Sequence, residues 1–98
     1  MKFPKLHHER VLEVIESNGL KIEDFYLVKR KGWIRIEHLH SGDFFNYFKK
    51  KETIIDPDSK QWVNNMFFKI KRSGEPDSIE PTFEMMIDQL DKWIRKLQ

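Results

Sequence analysis

Seven apolar residues between positions 83 and 97 recur at the three- and four-residue spacing of one helix face. They are Phe83, Met86, Ile87, Leu90, Trp93, Ile94 and Leu97. Residues with this spacing share one side of an α-helix, so the pattern predicts an amphipathic helix that opens at Pro81, with Glu80 as its flank. Lys92, Arg95 and Lys96 lie near its end, as the helix dipole favours. The rest of the chain must supply a surface for this apolar stripe.

A second helix is predicted near residues 4–18. Pro4 favours a first helical position, and Asn18-Gly19 is a typical helix stop. The apolar stripe of this helix is Leu6, Val11, Leu12, Val14 and Ile15. Three glutamates occupy the opposite side, so we expect this helix to cover a sheet with one face and to meet solvent with the other.

Four strands are predicted between the helices. The first two, Phe25–Val28 and Trp33–Leu39, are joined by a tight turn at Lys31-Gly32. The third, Phe44–Phe48, ends in three lysines, and the fourth begins at Gln61 and alternates apolar and polar residues to Lys71. Turn-forming residues at 56–59 and 73–78 are expected to be loops.

This order predicts a single α+β domain over residues 1–98. Short connections make sequential strands neighbours, so we expect a four-stranded antiparallel meander sheet in the order α-β-β-β-β-α. Both helices are expected on one face of the sheet, where their apolar stripes share a core.

The absence of cysteine excludes several kinds of site. Disulfides, cysteine-ligated zinc, iron–sulfur clusters and thiol nucleophiles all need that residue. The first residues lack the apolar segment of a secretory signal, and no stretch approaches the roughly 20 apolar residues that span a membrane. We therefore expect a soluble, cytoplasmic protein without a membrane partner.

Charge is distributed unevenly along the chain. The formal net charge is only +2, but residues 25–72 carry eleven basic and five acidic side chains, a net of +6. The flanking segments 1–24 and 73–98 carry −1 and −3. The sequence thus predicts a basic sheet between acidic-leaning helices.

The sheet face opposite the helices is the first candidate site. It is expected to present Trp33, Arg35, Glu37, Asn65, Phe67, Lys69 and Lys71, and also Phe45, Tyr47 and Lys49 if the third strand turns them to that side. Basic surfaces that contain aromatic rings bind single-stranded nucleic acid, because bases stack on rings while cations contact phosphates. The alternative is that lysine stems, a loop or a second subunit cover these rings.

Histidines and carboxylates are weaker candidates. His38 and His40 lie two apart, with Asp43 nearby; such a set can bind zinc or another transition metal, but two ligands and an uncertain third are a weak signal. The pairs Asp56/Asp58 and Asp88/Asp91 fall in a turn and on an exposed helix face. No nucleophile elbow or phosphate-binding glycine loop is present, so we expect no enzyme activity, no metal and no cofactor.

Association is the function that the sequence favours. The helices and the sheet carry more aromatic surface than one small domain readily buries, and an edge strand offers backbone groups for pairing. We therefore expect a non-enzymatic module that binds a protein partner or a second copy of itself. Its contact residues are predicted to be Trp33, Arg35, Phe67, Lys69 and Lys71, with Tyr47 as an extension; the alternative is binding of single-stranded nucleic acid.

Overall fold

Two α-helices and five β-strands form the described part of the chain in the computed structural model. It describes residues 5–97 and, for Lys5 and Leu6, the backbone alone. Pro4, the predicted helix start, and the Leu6 side chain therefore lie outside the described part. In chain order the elements are α1 (Lys5–Ser17), β1 (Phe25–Arg30), β2 (Trp33–His38), β3 (Phe44–Ile55), β4 (Trp62–Arg72), β5 (Ser78–Glu80) and α2 (Phe83–Arg95). A 3₁₀ turn at Ile22–Asp24 precedes β1.

Local chemistry explains where α1 ends and where α2 begins. Gly19 takes a φ of 76°, which glycine adopts without steric cost, and its N–H donates to the Glu16 carbonyl at the end of α1. Helix α2 begins after Thr82, whose hydroxyl accepts a hydrogen bond from the Met85 N–H at 3.2 Å. The first residue of α2, Phe83, is thus two positions beyond the predicted start at Pro81, because Thr82 supplies the capping hydroxyl.

The α+β class and the antiparallel sheet are confirmed, but the predicted number of strands is wrong. The described sheet has five strands in the order β1-β2-β3-β4-β5. The additional strand, β5, lies in a segment predicted as a loop and helix flank, and it pairs with Phe68–Ile70 of β4. A strand of three residues has too few positions to show alternation, so its pairing with β4 is what makes it a strand.

One face of the sheet packs against both helices. Val11, Val14 and Ile15 of α1 and the stripe of α2 share a core with the inward side chains of the sheet. These inward residues are Phe25, Ile34, Ile36, Phe45, Tyr47, Phe68 and Ile70. The helices also contact each other, since Arg10 forms an ion pair with Glu84 at 3.1 Å and the Asn18 amide donates to Asp91 at 2.8 Å.

Strands β3 and β4 are longer than their neighbours and form a projecting hairpin. Strand β2 pairs with β3 only as far as Phe48, and β5 pairs with β4 only from Phe68. Residues 50–67, which we call the arm, therefore continue as a two-stranded ribbon. The radius of gyration is 14.9 Å, above the about 13 Å expected for a compact chain of this length.

Candidate interaction surface

The sheet face opposite the core is covered by neither helix. We call this surface the open face; side-chain alternation assigns to it the residues of β1–β4 that lie between the inward ones, together with Ile79 of β5. Its aromatic members are Tyr26, Trp33, Phe44, Phe48 and Phe67. Its charged members are Arg30, Arg35, Lys50, Lys69 and Lys71, against Glu37 and Glu52. The face therefore combines rings with an excess of positive charge.

Five of the six predicted contact residues fall on this face. Trp33 lies opposite Phe48, which lies opposite Lys69, so these three form one row across β2, β3 and β4. Arg35, Asn46 and Lys71 form the next row in the same way. Phe67 lies opposite Lys50 at the start of the arm. The strand register thus brings the five residues into adjoining rows.

Tyr47, the sixth predicted contact residue, does not belong to this surface. It is 0% exposed and lies in the core between Ile34 of β2 and Ile70 of β4. Burial raises the pKa of its phenol. Phe45 and Lys49 share the parity of Tyr47 along β3 and also fall on the helix-covered face.

Among residues 44–49 of β3, it is Phe44, Asn46 and Phe48, and not Phe45, Tyr47 and Lys49, that lie on the open face. The condition stated for Phe45, Tyr47 and Lys49, that the third strand turns them to this side, is therefore not met. The segment Phe44–Phe48 has aromatic residues at both parities, so alternation alone does not distinguish the two faces. The signal that identifies the right parity is the register with β2, where Ile34 and Ile36 must face the core.

Cations cover two of the rings. The Arg35 guanidinium lies 4.6 Å above the centre of the Phe44 ring, and the Lys50 ammonium lies 5.6 Å from the centre of the Phe48 ring. Phe48 also stacks with Trp33, with ring centres 5.7 Å apart. The side-chain carbonyl of Asn46 is buried among these groups without a hydrogen-bond partner in the described chain.

Apolar side chains remain exposed at both margins of the open face. Tyr26 on the outer strand β1 is 56% exposed, and Ile79 on the opposite outer strand β5 is 63% exposed. Ile79 and Phe67 line a shallow groove together with Pro81, at the step where β5 ends and the arm continues. The open face thus carries a charged, partly covered centre and apolar margins.

The histidines predicted as weak metal candidates have other partners. His38 Nδ1 lies 2.8 Å from the Ser41 hydroxyl, and His40 Nε2 lies 3.0 Å from Asp24 Oδ1. Within residues 5–97, no three side chains of His, Cys, Asp or Glu come close enough together to hold a metal ion.

The carboxylate pairs also have structural partners. Asp56 accepts hydrogen bonds from the hydroxyl and the amide of Ser59 and so organises the arm tip; these bonds hold its pKa below the usual range. Asp91 pairs with Arg95 at 2.7 Å, one turn along α2. Neither arrangement places two carboxylates around a common cavity.

Neither described helix has the length and apolar character required to cross a membrane.

Comparison with known proteins gives no functional assignment. Protein-family models, curated proteins and solved structures were all searched, and none matches this chain.

Proposed function

We propose that this chain is a non-enzymatic binding module whose open face docks a protein partner with acidic and apolar groups. The observation that carries this proposal is a five-stranded sheet with its core on one side and five aromatic residues on the other. Four of these rings are half-buried, and the apolar area that stays exposed at Tyr26 and Ile79 is of the kind that often serves an interaction. In this proposal the module acts in the cytoplasm, without a cofactor or metal.

Each proposed contact residue has a distinct role. Trp33 and Phe67 supply ring area near the centre and at the arm end of the open face. Arg35, Lys69 and Lys71 supply positive charge around them, and two of these cations lie in adjoining rows of the register. Aromatic residues and arginine are the groups that most often dominate binding energy at protein interfaces.

The arrangement of rings favours a protein over the alternative, single-stranded nucleic acid. A base needs an open ring face on which to stack. Here Arg35 lies over Phe44 and Lys50 over Phe48, and Trp33 stacks with Phe48. The most exposed apolar side chains of the open face, Tyr26 and Ile79, lie at its opposite margins. Apolar margins around a cationic centre suit a folded partner better than a nucleotide chain.

Charge reversal provides the test. We expect Lys69→Glu combined with Lys71→Glu to abolish capture of an acidic partner in a pull-down, because both cations face the partner. The matched control is Lys92→Glu combined with Arg95→Glu, which makes the same charge change on the exposed side of α2. Circular dichroism checks that both variants fold. Equal capture by the two variants would overturn the proposal.

Fluorescence separates the two kinds of partner. Titration with short single-stranded oligonucleotides at low salt should leave tryptophan emission unchanged if the face serves a protein. Quenching that weakens steeply as salt rises, and that Lys69→Glu with Lys71→Glu removes, would instead establish nucleic-acid binding.

A further inference from the structure

Between its charged base and its charged tip the arm is uncharged, and its apolar side chains there lie in solvent. Ile54, Ile55, Trp62 and Val63 are between 39% and 69% exposed, with Trp62 the most exposed. Ile55 lies opposite Trp62 and Ile54 opposite Val63, so each side of the ribbon presents one apolar pair. Residues 53–55 and 61–65 contain no charged side chain. A two-stranded ribbon of this kind is marginally stable in water without further packing.

Strand β3 has an unpaired edge along the arm. Lys49 donates its N–H to the Gly32 carbonyl at 2.9 Å, and this is where pairing with β2 stops. Bonding direction alternates along an antiparallel strand, so Lys51, Thr53 and Ile55 direct their N–H and C=O groups to the same side as Lys49. No described strand pairs with them there. Such an edge is a template for another strand.

The two ends of the arm carry opposite charge. Its base contains Lys49, Lys50 and Lys51, beside Lys31 in the β1–β2 turn. Its tip contains Asp56 and Asp58, with Lys60. If the β3 strand of a second copy ran antiparallel to this one, the acidic tip of each arm would lie beside the lysines at the start of the other arm. The uncharged segments would lie between these two contacts.

We infer that two copies of this chain associate through the β3 edges of their arms, antiparallel and with Thr53 opposite Thr53 of the second copy. In this register Lys51 lies opposite Ile55 of the second copy, so the outward backbone groups of both residues pair. Lys50 lies opposite Asp56 of the second copy, and two-fold symmetry repeats each pair. The lysine stem covers the isoleucine while its ammonium stays in water.

Charge selects this register and this edge. If the pairing were centred on Ile54 instead, Glu52 would lie opposite Asp56 of the second copy, and the two carboxylates would repel each other. The unpaired edge of β4 is the other candidate, but Glu80 lies next to it, opposite Phe68, where an acidic tip would arrive. The association uses edge backbone groups and leaves the open face uncovered, so it goes beyond the proposed function and does not depend on it.

Disulfide trapping tests the geometry. Hydrogen-bonded antiparallel pairs have Cα atoms about 5.5 Å apart, within the about 4.4–6.8 Å that a disulfide spans. The chain contains no cysteine, so Thr53→Cys can cross-link only to a second copy. The matched control is Asn64→Cys, because Asn64 lies directly opposite Thr53 but directs its backbone to the β4 edge. We expect Thr53→Cys to form a covalent dimer several-fold faster; equal rates would overturn the inference.

Proline substitution tests the unmodified association. Sedimentation should show a concentration-dependent mass rising toward twice 12.0 kDa, and rising salt should weaken the dimer. Thr53→Pro removes an outward N–H without breaking the β3–β4 ladder, so it should leave the protein monomeric, whereas Asn64→Pro should not. Circular dichroism checks that both variants fold. A wild-type chain that stays monomeric at every concentration, or a Thr53→Pro variant that still dimerises, would overturn the inference.

Discussion

The imidazole of His7 stacks on the phenyl ring of Phe83, with ring centres 3.9 Å apart and planes 13° from parallel. This contact joins the first turns of α1 and α2 over the sheet, where Phe68 lies 6.2 Å from the same imidazole. A histidine here fills an aromatic position in the core. Because the imidazole can be protonated, the packing of the two helices against each other is sensitive to pH.

Acid should destabilise the domain through His7. Burial, with Lys49 and Lys29 nearby, holds the pKa of His7 below its ordinary value of 6.5. The unfolded chain therefore binds the proton more readily, so the contribution of His7 to stability is full above pH 6.5 and decreases as the pH falls below it. Urea unfolding followed by tryptophan fluorescence at a series of pH values measures this slope.

The His7→Phe variant provides the control for that slope. It keeps an aromatic ring against Phe83 but cannot be protonated, so its free energy of unfolding should change less between neutral and mildly acidic pH. A variant with the same pH dependence as the wild type would show that other groups control the acid response.

The cap of α2 should be measurable on its own. Thr82→Ala removes the acceptor of the Met85 N–H and should lower the free energy of unfolding by about 1 kcal/mol. Thr82→Ser keeps the hydroxyl and should stay close to the wild type. Equal loss in both variants would mean that the methyl group, and not the cap, stabilises the helix.

Glu75 should stabilise the fold at neutral pH and lose this effect in strong acid. Lys96 at the end of α2 and Arg72 at the end of β4 both bind its carboxylate, and they lower its pKa to about 2. Its stabilisation is therefore present above pH 4.5 and is lost as the pH falls toward 2. Solvent screens this exposed group, so Glu75→Gln should cost below about 1 kcal/mol at pH 7.

The acid series also supplies the check on Glu75. The difference in unfolding free energy between the wild type and Glu75→Gln should shrink as the carboxylate is protonated. Glu84→Gln, which breaks a single and more exposed ion pair with Arg10, should cost less at neutral pH. A constant difference at all pH values would assign the effect of Glu75 to packing.

The stripe of α2 should tolerate truncation unequally. Leu90 is fully buried in the core, so Leu90→Ala should cost about 2–5 kcal/mol through lost burial and the cavity left behind. Leu97 packs at the margin of the core and is half-exposed, so Leu97→Ala should cost much less. Thermal or urea unfolding compares the two variants, and similar losses would contradict the asymmetry.

The sequence predicts best where one pattern repeats over many residues. Seven apolar residues keep helical spacing from Phe83 to Leu97, and Ile34, Ile36, Phe68 and Ile70 alternate clearly, so the helix and the inward parity of β2 and β4 follow from local spacing. Ile55 shows the limit. The run of charged residues before it has no apolar alternation, so the continuation of β3 is visible only through its pairing with β4.

The residues of the open face can also be predicted only where apolar and polar side chains alternate clearly. Trp33 and Lys69 were placed correctly because their neighbours along the strand are plainly apolar. The face of Tyr47 does not follow from the sequence, because aromatic residues stand on both sides of it and the choice depends on contacts across the sheet. The cation above Phe44 also depends on the register, since Arg35 reaches that ring from the neighbouring strand.

The strand order has a consequence for how the chain is made. Each strand pairs with the one synthesised just before it, so the sheet can grow during translation, one strand at a time. Helix α1 leaves the ribosome first, but its partner Glu84 lies 74 positions beyond Arg10. Until α2 emerges, the apolar stripe of α1 therefore has only an unfinished core to pack against. This interval is when the nascent chain most needs protection from aggregation.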